Sequence, residues 1–315
     1  MARRSRLPGL RPPHEHAAAL AATQDLTAPQ HLRAAICLAA ITLNLTFWAL
    51  LLLVLLPAKA APRTRPWFRR TAARIYRAAV RVDNVLLQRI SRASWRVRAL
   101  RLDPARPHIV LSNHRSWADI FLVQSLIATR GPIVTFLCKR ELLYVPIFGL
   151  IILAFGFPVL RRQAQRGIDA GSRRGDDRRR VTEAAAALLE SPAAILSFAE
   201  GTRFTAAKRD ANSRAAGDGH EASRTAPQYQ HLLPPRAGGL AAMIEALAPG
   251  GGSIVDVTLA YPRPSTFWEF LGGTAGSVEV AWEAIPIAAV ESADVTSWLN
   301  DRWRRKEALL DRRSL

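Results

Sequence analysis

The sequence is poor in cysteine and contains no internal repeat or low-complexity tract, and each absence narrows what the protein can be. Only two cysteines occur in 315 residues, Cys37 and Cys138, and they lie far apart. Without paired or closely spaced cysteines, the chain offers neither a disulfide framework nor a cysteine-built zinc site, and we predict no bound metal. Hydrophobic residues make up 49% and charged residues 22%, which is typical of a folded chain rather than a disordered one.

Acidic residues are scarce relative to basic ones. The chain has 25 Asp and Glu against 44 Lys and Arg, a formal net charge of +19. Such an excess predicts an anionic partner, which could be nucleic acid, acidic lipid or a phosphorylated substrate. Residues 59–101 hold 13 basic residues and the single acid Asp83, which is +12 of the total. No nucleic-acid-binding signature accompanies them. We therefore expect no nucleic acid partner, and a membrane-tethered binder of nucleic acid or another anionic surface is the non-enzymatic alternative.

One long run carries no charge at all. Residues 34–58 read AAICLAAITLNLTFWALLLLVLLPA and lie between Arg33 and Lys59. A helix of roughly 20 apolar residues spans the hydrocarbon core of a bilayer, so we predict a transmembrane or membrane-embedded helix after a polar tail of residues 1–33. Basic residues crowd the segment after the run, and this bias places the remainder of the chain in the cytoplasm. A helix that enters and leaves on the same face is the alternative.

A basic amphipathic segment follows over residues 59–93. Apolar residues recur at steps of three and four from Ile75 to Ile90, and arginines occupy the remaining positions. A helix of this kind beside a membrane segment can lie on anionic headgroups. It can equally pack on the main domain with its arginines solvated, and the sequence supports both interpretations.

Short apolar strands alternate with helices over residues 94–290, which predicts an α/β domain with a mixed, largely parallel sheet flanked by helices. The predicted strands cover residues 94–102, 108–112, 131–139, 192–198, 253–262 and 277–287. The predicted helices cover residues 118–128, 178–190 and 238–248, and a charged helix closes the chain within 291–315. Proline and glycine divide the apolar stretch 142–160 into a short helix, a turn and a strand. The polar segment 205–231 is predicted to be a long surface loop.

The stretch SNHRSWAD, residues 112–119, joins a predicted strand to a predicted helix. In such a turn His114 can fold back over the start of the helix, where Asp119 can accept an imidazole N–H. This contact fixes the tautomer and leaves the other ring nitrogen free as a base. The alternative is a helix cap, in which Ser116 and Asp119 satisfy free backbone N–H groups of the first turn. These residues alone leave both interpretations open.

Polar residues also follow other predicted strands. Glu200, Gly201, Thr202 and Arg203 come directly after an apolar strand, and Lys139 ends another. Ligands of α/β folds bind beyond the carboxyl ends of strands, arginine can bind phosphate through two parallel N–H groups, and glycine allows close approach of the backbone. Arg203 and Lys139 are therefore candidate phosphate ligands, and a solvated loop cation is the alternative for each.

Four blocks together resemble the glycerolipid acyltransferases, typified by the 1-acylglycerol-3-phosphate acyltransferases. NHRSWAD resembles their block of asparagine, histidine, a four-residue gap and aspartate, and KRELLYVPIFG resembles their second block. SFAEGTRF resembles their third, with Ala199 in place of the usual proline, and VDVTLAYP their fourth. The blocks appear in the family's order and spacing. The stretches GFPVLRR, PPRAGG and STFWEFLGG resemble the branch that includes lysocardiolipin-type acyltransferases and their bacterial relatives.

The resemblance implies a membrane enzyme that transfers an acyl group from acyl-CoA or acyl-carrier protein to the hydroxyl of a lysophospholipid, with no further cofactor. It implies catalysis by His114 and Asp119 and substrate binding by Asn113, Lys139 and residues 200–203. The expected acceptor is 1-acyl-sn-glycerol 3-phosphate, which would give phosphatidic acid. Lysocardiolipin, lysophosphatidylglycerol and a lyso-ornithine lipid are alternatives. The expected location is a bacterial inner membrane, with the catalytic domain on the cytoplasmic side.

Overall fold

Three helices precede the sheet in the computed structural model, which describes residues 26–139, 143–144, 146–155, 157, 159–160, 170–217, 229–291 and 294–312. They are α1 (Ala28–Leu55), α2 (Pro57–Ala60) and α3 (Arg65–Arg89). By length and composition, α1 is long and apolar enough to cross a membrane, and 22% of its most apolar window is buried in the protein. The predicted long apolar helix is therefore present, although it begins before residue 34 and ends before residue 58.

A six-stranded sheet forms the centre of the domain. Its strands are β1 (Ser94–Val97), β2 (His108–Ser112), β3 (Val134–Phe136), β6 (Ala194–Phe198), β7 (Ser253–Ala260) and β8 (Ser277–Pro286). The short strands β4 (Cys138–Lys139) and β5 (Val159–Leu160) pair separately. The order in the large sheet is β1-β8-β7-β2-β6-β3, and every neighbouring pair is parallel except β7 and β8. This confirms the predicted mixed, largely parallel sheet.

Helices cover both faces of the sheet. They are α4 (Ala118–Ile127), α5 (Pro146–Phe155), α6 (Ala170–Glu190), α7 (Ala206–Gly217), α8 (Ala237–Leu247), α9 (Phe267–Gly272) and α10 (Val295–Asp311). Side chains of β2 alternate between the faces, as strand geometry requires. Val110 packs in the core that includes α3 and α4, and Ile109 and Leu111 pack in the core that includes α6, α8 and α10. A strand buried on both faces explains the continuous apolar run HIVLS.

The predicted loop over residues 205–231 is wrong in its first part, because α7 (Ala206–Gly217) occupies it. The sequence AAKRDANSRAAG has no apolar face, so hydrophobic periodicity gave no signal there. The backbone N–H of Lys208 donates to the Thr205 hydroxyl at the start of the helix, and five alanines favour helix formation. Residues 218–228 of the predicted loop lie outside the described part of the chain.

The apolar face of α3 is buried inside the protein. Tyr76, Val80 and Leu87 pack with α1 and α4, and Phe68 and Ala72 pack with the end of α1. The sequence allowed the basic segment either to lie on headgroups or to pack on the main domain. The structure shows that its apolar face packs on the protein. The arginines of the opposite face are exposed, among them Arg70, Arg74, Arg81 and Arg89.

The α/β domain contacts α1 near both of its ends. At the first end, Arg33 Nη1 donates to the carbonyl of Gly272 at the end of α9 (3.1 Å). At the second end, Leu52 packs with Phe68 of α3 and Ala154 of α5. Arg33 and Leu52 are roughly 29 Å apart along a helix that rises ~1.5 Å per residue. The opposite side of α1 carries exposed apolar side chains, among them Leu43, Phe47, Leu50 and Val54.

Candidate active site

The candidate site lies at the carboxyl ends of three adjacent parallel strands. Strand β2 lies between β7 and β6, so the residues that follow these three strands meet at one edge of the sheet. His114 comes from the turn after β2, Glu200 from the turn after β6, and Tyr261 from the residue after β7. This is the edge at which ligands of parallel α/β sheets bind.

His114 and Asp119 are in direct contact. His114 Nδ1 lies 2.8 Å from Asp119 Oδ2. Since a carboxylate oxygen accepts, Nδ1 carries the proton, and Nε2 of the neutral imidazole has a free lone pair. The imidazole stacks on the ring of Phe198, the last residue of β6, with 3.9 Å between centroids and 13° between planes. Among the described residues none forms a hydrogen bond to Nε2, so this nitrogen is available to a substrate hydroxyl.

Asp119 also holds the turn that precedes its helix. Its Oδ2 accepts the backbone N–H groups of Arg115 (2.6 Å) and Ser116 (2.9 Å) in addition to the imidazole N–H. The side chain is fully buried. These donors lie before α4 rather than in its first turn, so Asp119 does not cap the helix as the alternative interpretation had it, and they fix the carboxylate that holds His114.

Tyr261 is a site residue that the sequence analysis did not identify. Its hydroxyl donates to Asp119 Oδ1 at 2.6 Å, and the side chain is buried. Burial and the neighbouring Asp119 charge hold the pKa of this phenol well above its usual value. The available signal was its place in VDVTLAYP, at the carboxyl end of the strand predicted over residues 253–262.

Asn113, predicted to bind substrate, braces two strands instead. Its amide nitrogen donates to the carbonyl of Leu259 (3.0 Å), and its amide oxygen accepts the backbone N–H of the same residue (2.9 Å). The side chain is fully buried. These two bonds continue the β2–β7 pairing beyond the end of β2 and so fix the position of His114 next in the chain.

Glu200, predicted to bind substrate, is buried beneath the turn that carries His114. It is 2% exposed, and neither carboxylate oxygen has a hydrogen-bond partner within the described part of the chain. Burial raises the pKa of Glu200 to about 8, while the backbone of His114 and the charge of Arg115 act in the opposite direction. The side chain is therefore protonated at neutral pH and does not face solvent.

The Gly201–Thr202–Arg203 turn presents a cation at the site's edge. Gly201 has φ +68°, the left-handed region that glycine adopts without strain. The Thr202 hydroxyl accepts from the ammonium of Lys208 (2.6 Å), which also donates to the Arg203 carbonyl (3.0 Å). Arg203 is exposed, with its guanidinium 5.4 Å from the ring centroid of Trp117.

A cavity of about 390 Å³ opens beside the His114 turn. Four cations line it, namely Arg115, Arg203, Lys208 and Arg209. Phe267 of α9 also lines it. Arg115, which the sequence analysis did not identify, lies with its guanidinium 4.9 Å from the ring centroid of Phe204 and has no ion pair with any described residue. The cavity lining thus combines cationic and aromatic side chains.

Two further sets of residues carry possible ligand groups. Lys139 ends β4, and its side chain lies outside the described residues. His231, which also lines the cavity, brings a possible metal-ligand atom within 4.8 Å of those of Glu307 and Asp311. Glu307 accepts the backbone N–H of His231 (2.9 Å), and His231 pairs with Asp311 (3.0 Å).

The chain belongs to the acyltransferase family, whose pattern it matches over residues 94–261. It is 26% identical over 220 residues to lysocardiolipin acyltransferase 1 of Danio rerio, covering 66% of this chain and 53% of that protein. It is 26% identical over 208 residues to 1-acyl-sn-glycerol-3-phosphate acyltransferase delta of Bos taurus, covering 64% and 51%. The chain thus spans about half the length of these relatives. The crystal structure of PlsC, the 1-acyl-sn-glycerophosphate acyltransferase of Thermotoga maritima, has a similar fold, with a TM-score of 0.56 at 16% identity over 89% of this chain and 97% of that one.

Proposed function

We propose that this protein transfers an acyl group from the thioester of acyl-CoA or acyl-carrier protein to the free hydroxyl of a lysophospholipid. The observation that carries the proposal is the His114–Asp119 contact, 2.8 Å long, beside a cavity with four cationic side chains. The cations suit a phosphorylated acceptor, and the imidazole suits a hydroxyl that must lose its proton as it attacks.

The mechanism needs one base and no covalent enzyme intermediate. His114 Nε2 takes the proton of the acceptor hydroxyl while its oxygen attacks the thioester carbonyl. Asp119 keeps the proton of Nδ1 in place and stabilises the imidazolium that forms. When the tetrahedral intermediate collapses, the C–S bond breaks, and the imidazolium returns its proton to the leaving thiolate. General-base catalysis of this kind contributes roughly 10²–10⁴-fold to the rate.

Arg203 and Arg115 are the proposed ligands of the acceptor phosphate. Both line the cavity, and both guanidinium groups lie over aromatic rings, which limits their freedom before a ligand arrives. Glu200 is assigned no substrate contact, because it is buried away from the cavity. Lys139 remains a proposed second phosphate ligand on the basis of its place at the end of β4.

The proposed acceptor is 1-acyl-sn-glycerol 3-phosphate, which gives phosphatidic acid. Lysocardiolipin is the second candidate, because a protein named for that activity is among the relatives. Lysophosphatidylglycerol and a lyso-ornithine lipid are further alternatives. The first three acceptors carry a phosphate that the four cationic side chains of the cavity could bind.

The proposed location is the inner membrane of a bacterium, with the catalytic domain on the cytoplasmic face. The arginines of α3 are exposed and would lie against anionic headgroups. The domain packs along α1 from Arg33 to Leu52, a length close to the ~30 Å of the hydrocarbon core. Because a water-soluble domain cannot follow a helix across the bilayer, we propose that α1 is embedded through its exposed apolar side and does not cross.

The test is acyl transfer by the purified protein in detergent or vesicles, with labelled acyl-CoA and acyl-carrier protein against a panel of the four lysolipids. We expect one lysophospholipid to be acylated, and His114→Ala and Asp119→Ala each to lower turnover by roughly 10²–10⁴-fold without loss of membrane binding. Glu190→Ala is the control, since this exposed residue ends α6, before β6, and so lies at the edge of the sheet opposite the candidate site. Acyl transfer by His114→Ala at the wild-type rate would contradict the mechanism. Salt-sensitive DNA binding with no acyl transfer would favour the non-enzymatic alternative.

A further inference from the structure

Asp119 distributes its contacts unevenly between its two oxygens. Oδ2 accepts three N–H groups, from the His114 ring and from the backbone of Arg115 and Ser116. Oδ1 accepts one hydroxyl, that of Tyr261, at 2.6 Å, and it has no other hydrogen-bond donor among the described residues. Tyr261 reaches Asp119 from the end of β7, 142 residues further along the chain.

We propose that Tyr261 is a positioning residue for acyl transfer, whose hydroxyl holds Asp119 Oδ1 so that Oδ2 stays directed at the imidazole of His114. The inference rests on the proposed role of His114 as the base. The block VDVTLAYP thus supplies a strand of the sheet and also the tyrosine that contacts Asp119 of NHRSWAD.

The physical reason is that a carboxylate can rotate about the bond that joins it to its side chain, and this rotation redirects both of its oxygens. A buried oxygen without a donor loses its hydration and gains nothing in return, so Asp119 without Tyr261 would turn to share its N–H donors between both oxygens. The His114 contact would then lengthen or lose its direction. The raised pKa of Tyr261 keeps the phenol protonated, so it remains a donor across the working pH range.

The hydroxyl also takes up part of the negative charge of Asp119. The other titratable groups facing this carboxylate and phenol are Arg115 on the same turn and Glu200 after β6, and on α10 Glu307 and Lys306 face Arg115 and Glu200. None of them is altered by removing the phenol oxygen.

The test compares two tyrosine-to-phenylalanine variants. Tyr261→Phe removes the hydroxyl and keeps the ring. Tyr76→Phe is the matched control, because Tyr76 is also buried and its hydroxyl donates to the carbonyl of Val134 (3.0 Å), away from His114. The thermal unfolding midpoint of both variants is measured first. The kcat for acyl transfer and the KM values for donor and acceptor are then measured for both variants and for the wild type.

We expect Tyr261→Phe to lower kcat by about tenfold, which is part of the ~10²–10⁴ that general-base catalysis supplies. We also expect the KM values for donor and acceptor to change by less than about twofold, because the Tyr261 hydroxyl contacts Asp119 and the interaction it preserves acts in the transition state. Tyr76→Phe should leave kcat unchanged, whatever its stability. A kcat for Tyr261→Phe equal to that of the wild type would overturn the inference.

A second measurement does not depend on turnover. The NMR signal of the His114 Nδ1 proton, which reports the hydrogen bond to Asp119, should move upfield in Tyr261→Phe because that bond weakens, and an unchanged signal would overturn the inference. His114→Ala, assayed in parallel, separates the two possible failures. Full activity of that variant removes the base itself, whereas an inactive His114→Ala with a wild-type kcat for Tyr261→Phe removes only the role of Tyr261.

Discussion

At the scale of single residues, the most unusual group is the Glu200 carboxyl. It lies buried below the His114 turn, with both oxygens unpartnered within the described chain and a pKa of about 8. An unpaired buried carboxylate is costly, so the folded protein keeps this group neutral. In EGTR, a charged residue at the end of a strand suggested contact with substrate, but here Glu200 points into the protein and Arg203 points out.

Glu200→Gln should therefore change how stability depends on pH. In the unfolded chain the carboxyl ionises near its ordinary pKa of 4.5, and in the folded chain near 8. Between these values the folded state keeps a proton that the unfolded state has lost, so wild-type stability falls as pH rises through this window. Glutamine cannot ionise, so the variant should gain at least ~1 kcal/mol relative to wild type between about pH 4 and pH 9.

Urea denaturation at several pH values checks this expectation. Glu291→Gln is the control, since Glu291 is exposed and should show no comparable change. A difference between Glu200→Gln and wild type that is the same at both ends of the pH range would show that Glu200 is ionised in the folded protein.

How much of the site could be predicted from the sequence depends on how far apart along the chain the contacting residues lie. The His114–Asp119 contact spans five positions and one turn, so local geometry allowed it, and the resemblance of the four blocks favoured it. Tyr261 could not be placed beside Asp119, because their contact depends on β7 lying next to β2. Asn113 was predicted to bind substrate. Its side-chain amide instead pairs with the backbone of Leu259, and this contact also depends on the distant strand β7.

At the scale of elements, a polar contact fixes α1 on α3. The Asn44 amide donates to Asp83 Oδ1 (2.9 Å) and to the Ala79 carbonyl (3.1 Å), and it accepts from Trp48 Nε1 (2.8 Å). Asp83 is 3% exposed, and burial raises its pKa to about 7. The sequence predicted both helices but not this pairing. Hydrophobic periodicity shows that one face of α3 is buried, and it does not distinguish a bilayer from another helix.

Asn44→Ala should loosen this helix pair. The variant leaves Asp83 without its donor, which should cost about 1–3 kcal/mol. The loss of stability should be larger at pH 8 than at pH 5, because the Asn44 amide stabilises the ionised form of Asp83. Thr42→Ala is the matched control on the same helix, since the Thr42 hydroxyl bonds only to the carbonyl of Leu38 in its own helix.

The measurement is the rate of trypsin cleavage within α3, whose exposed arginines become substrates when the helix detaches. We expect faster cleavage for Asn44→Ala than for Thr42→Ala, and a wider difference at the higher pH. Equal rates would mean that the apolar contacts of α3 hold it without the Asn44–Asp83 bond.

At the scale of the whole molecule, the candidate active site and α1 are linked through α9. Helix α9 contacts α1 through Gly272, and Phe267 at its other end lines the cavity. If α1 is embedded as proposed, an acceptor whose acyl chain stays in the bilayer could place its headgroup in the cavity beside α9. Removing the chain from the bilayer into water would cost about 0.8 kcal/mol per CH₂. A cavity next to an embedded α1 would avoid this cost.

This arrangement requires both ends of α1 to be on the same side of the membrane, and single cysteines can test that. The variants are Thr27→Cys before α1 and Ala60→Cys after it, both at exposed positions, in a background with Cys37 and Cys138 replaced by alanine. Glu245→Cys, on an exposed position of α8, reports the side of the catalytic domain. Cells that express each variant are treated with an impermeant maleimide before or after their membranes are inverted.

We expect all three positions to be protected in intact cells and labelled in inverted membranes, because the domain covers α1 from Arg33 to Leu52 and must remain in water. A helix that crosses the bilayer would give Thr27→Cys labelling from outside and Ala60→Cys labelling from inside. In that case the contacts of α1 with α9 and α5 could not both exist in the membrane, and the packing of the N-terminal helix on the domain would have to be abandoned.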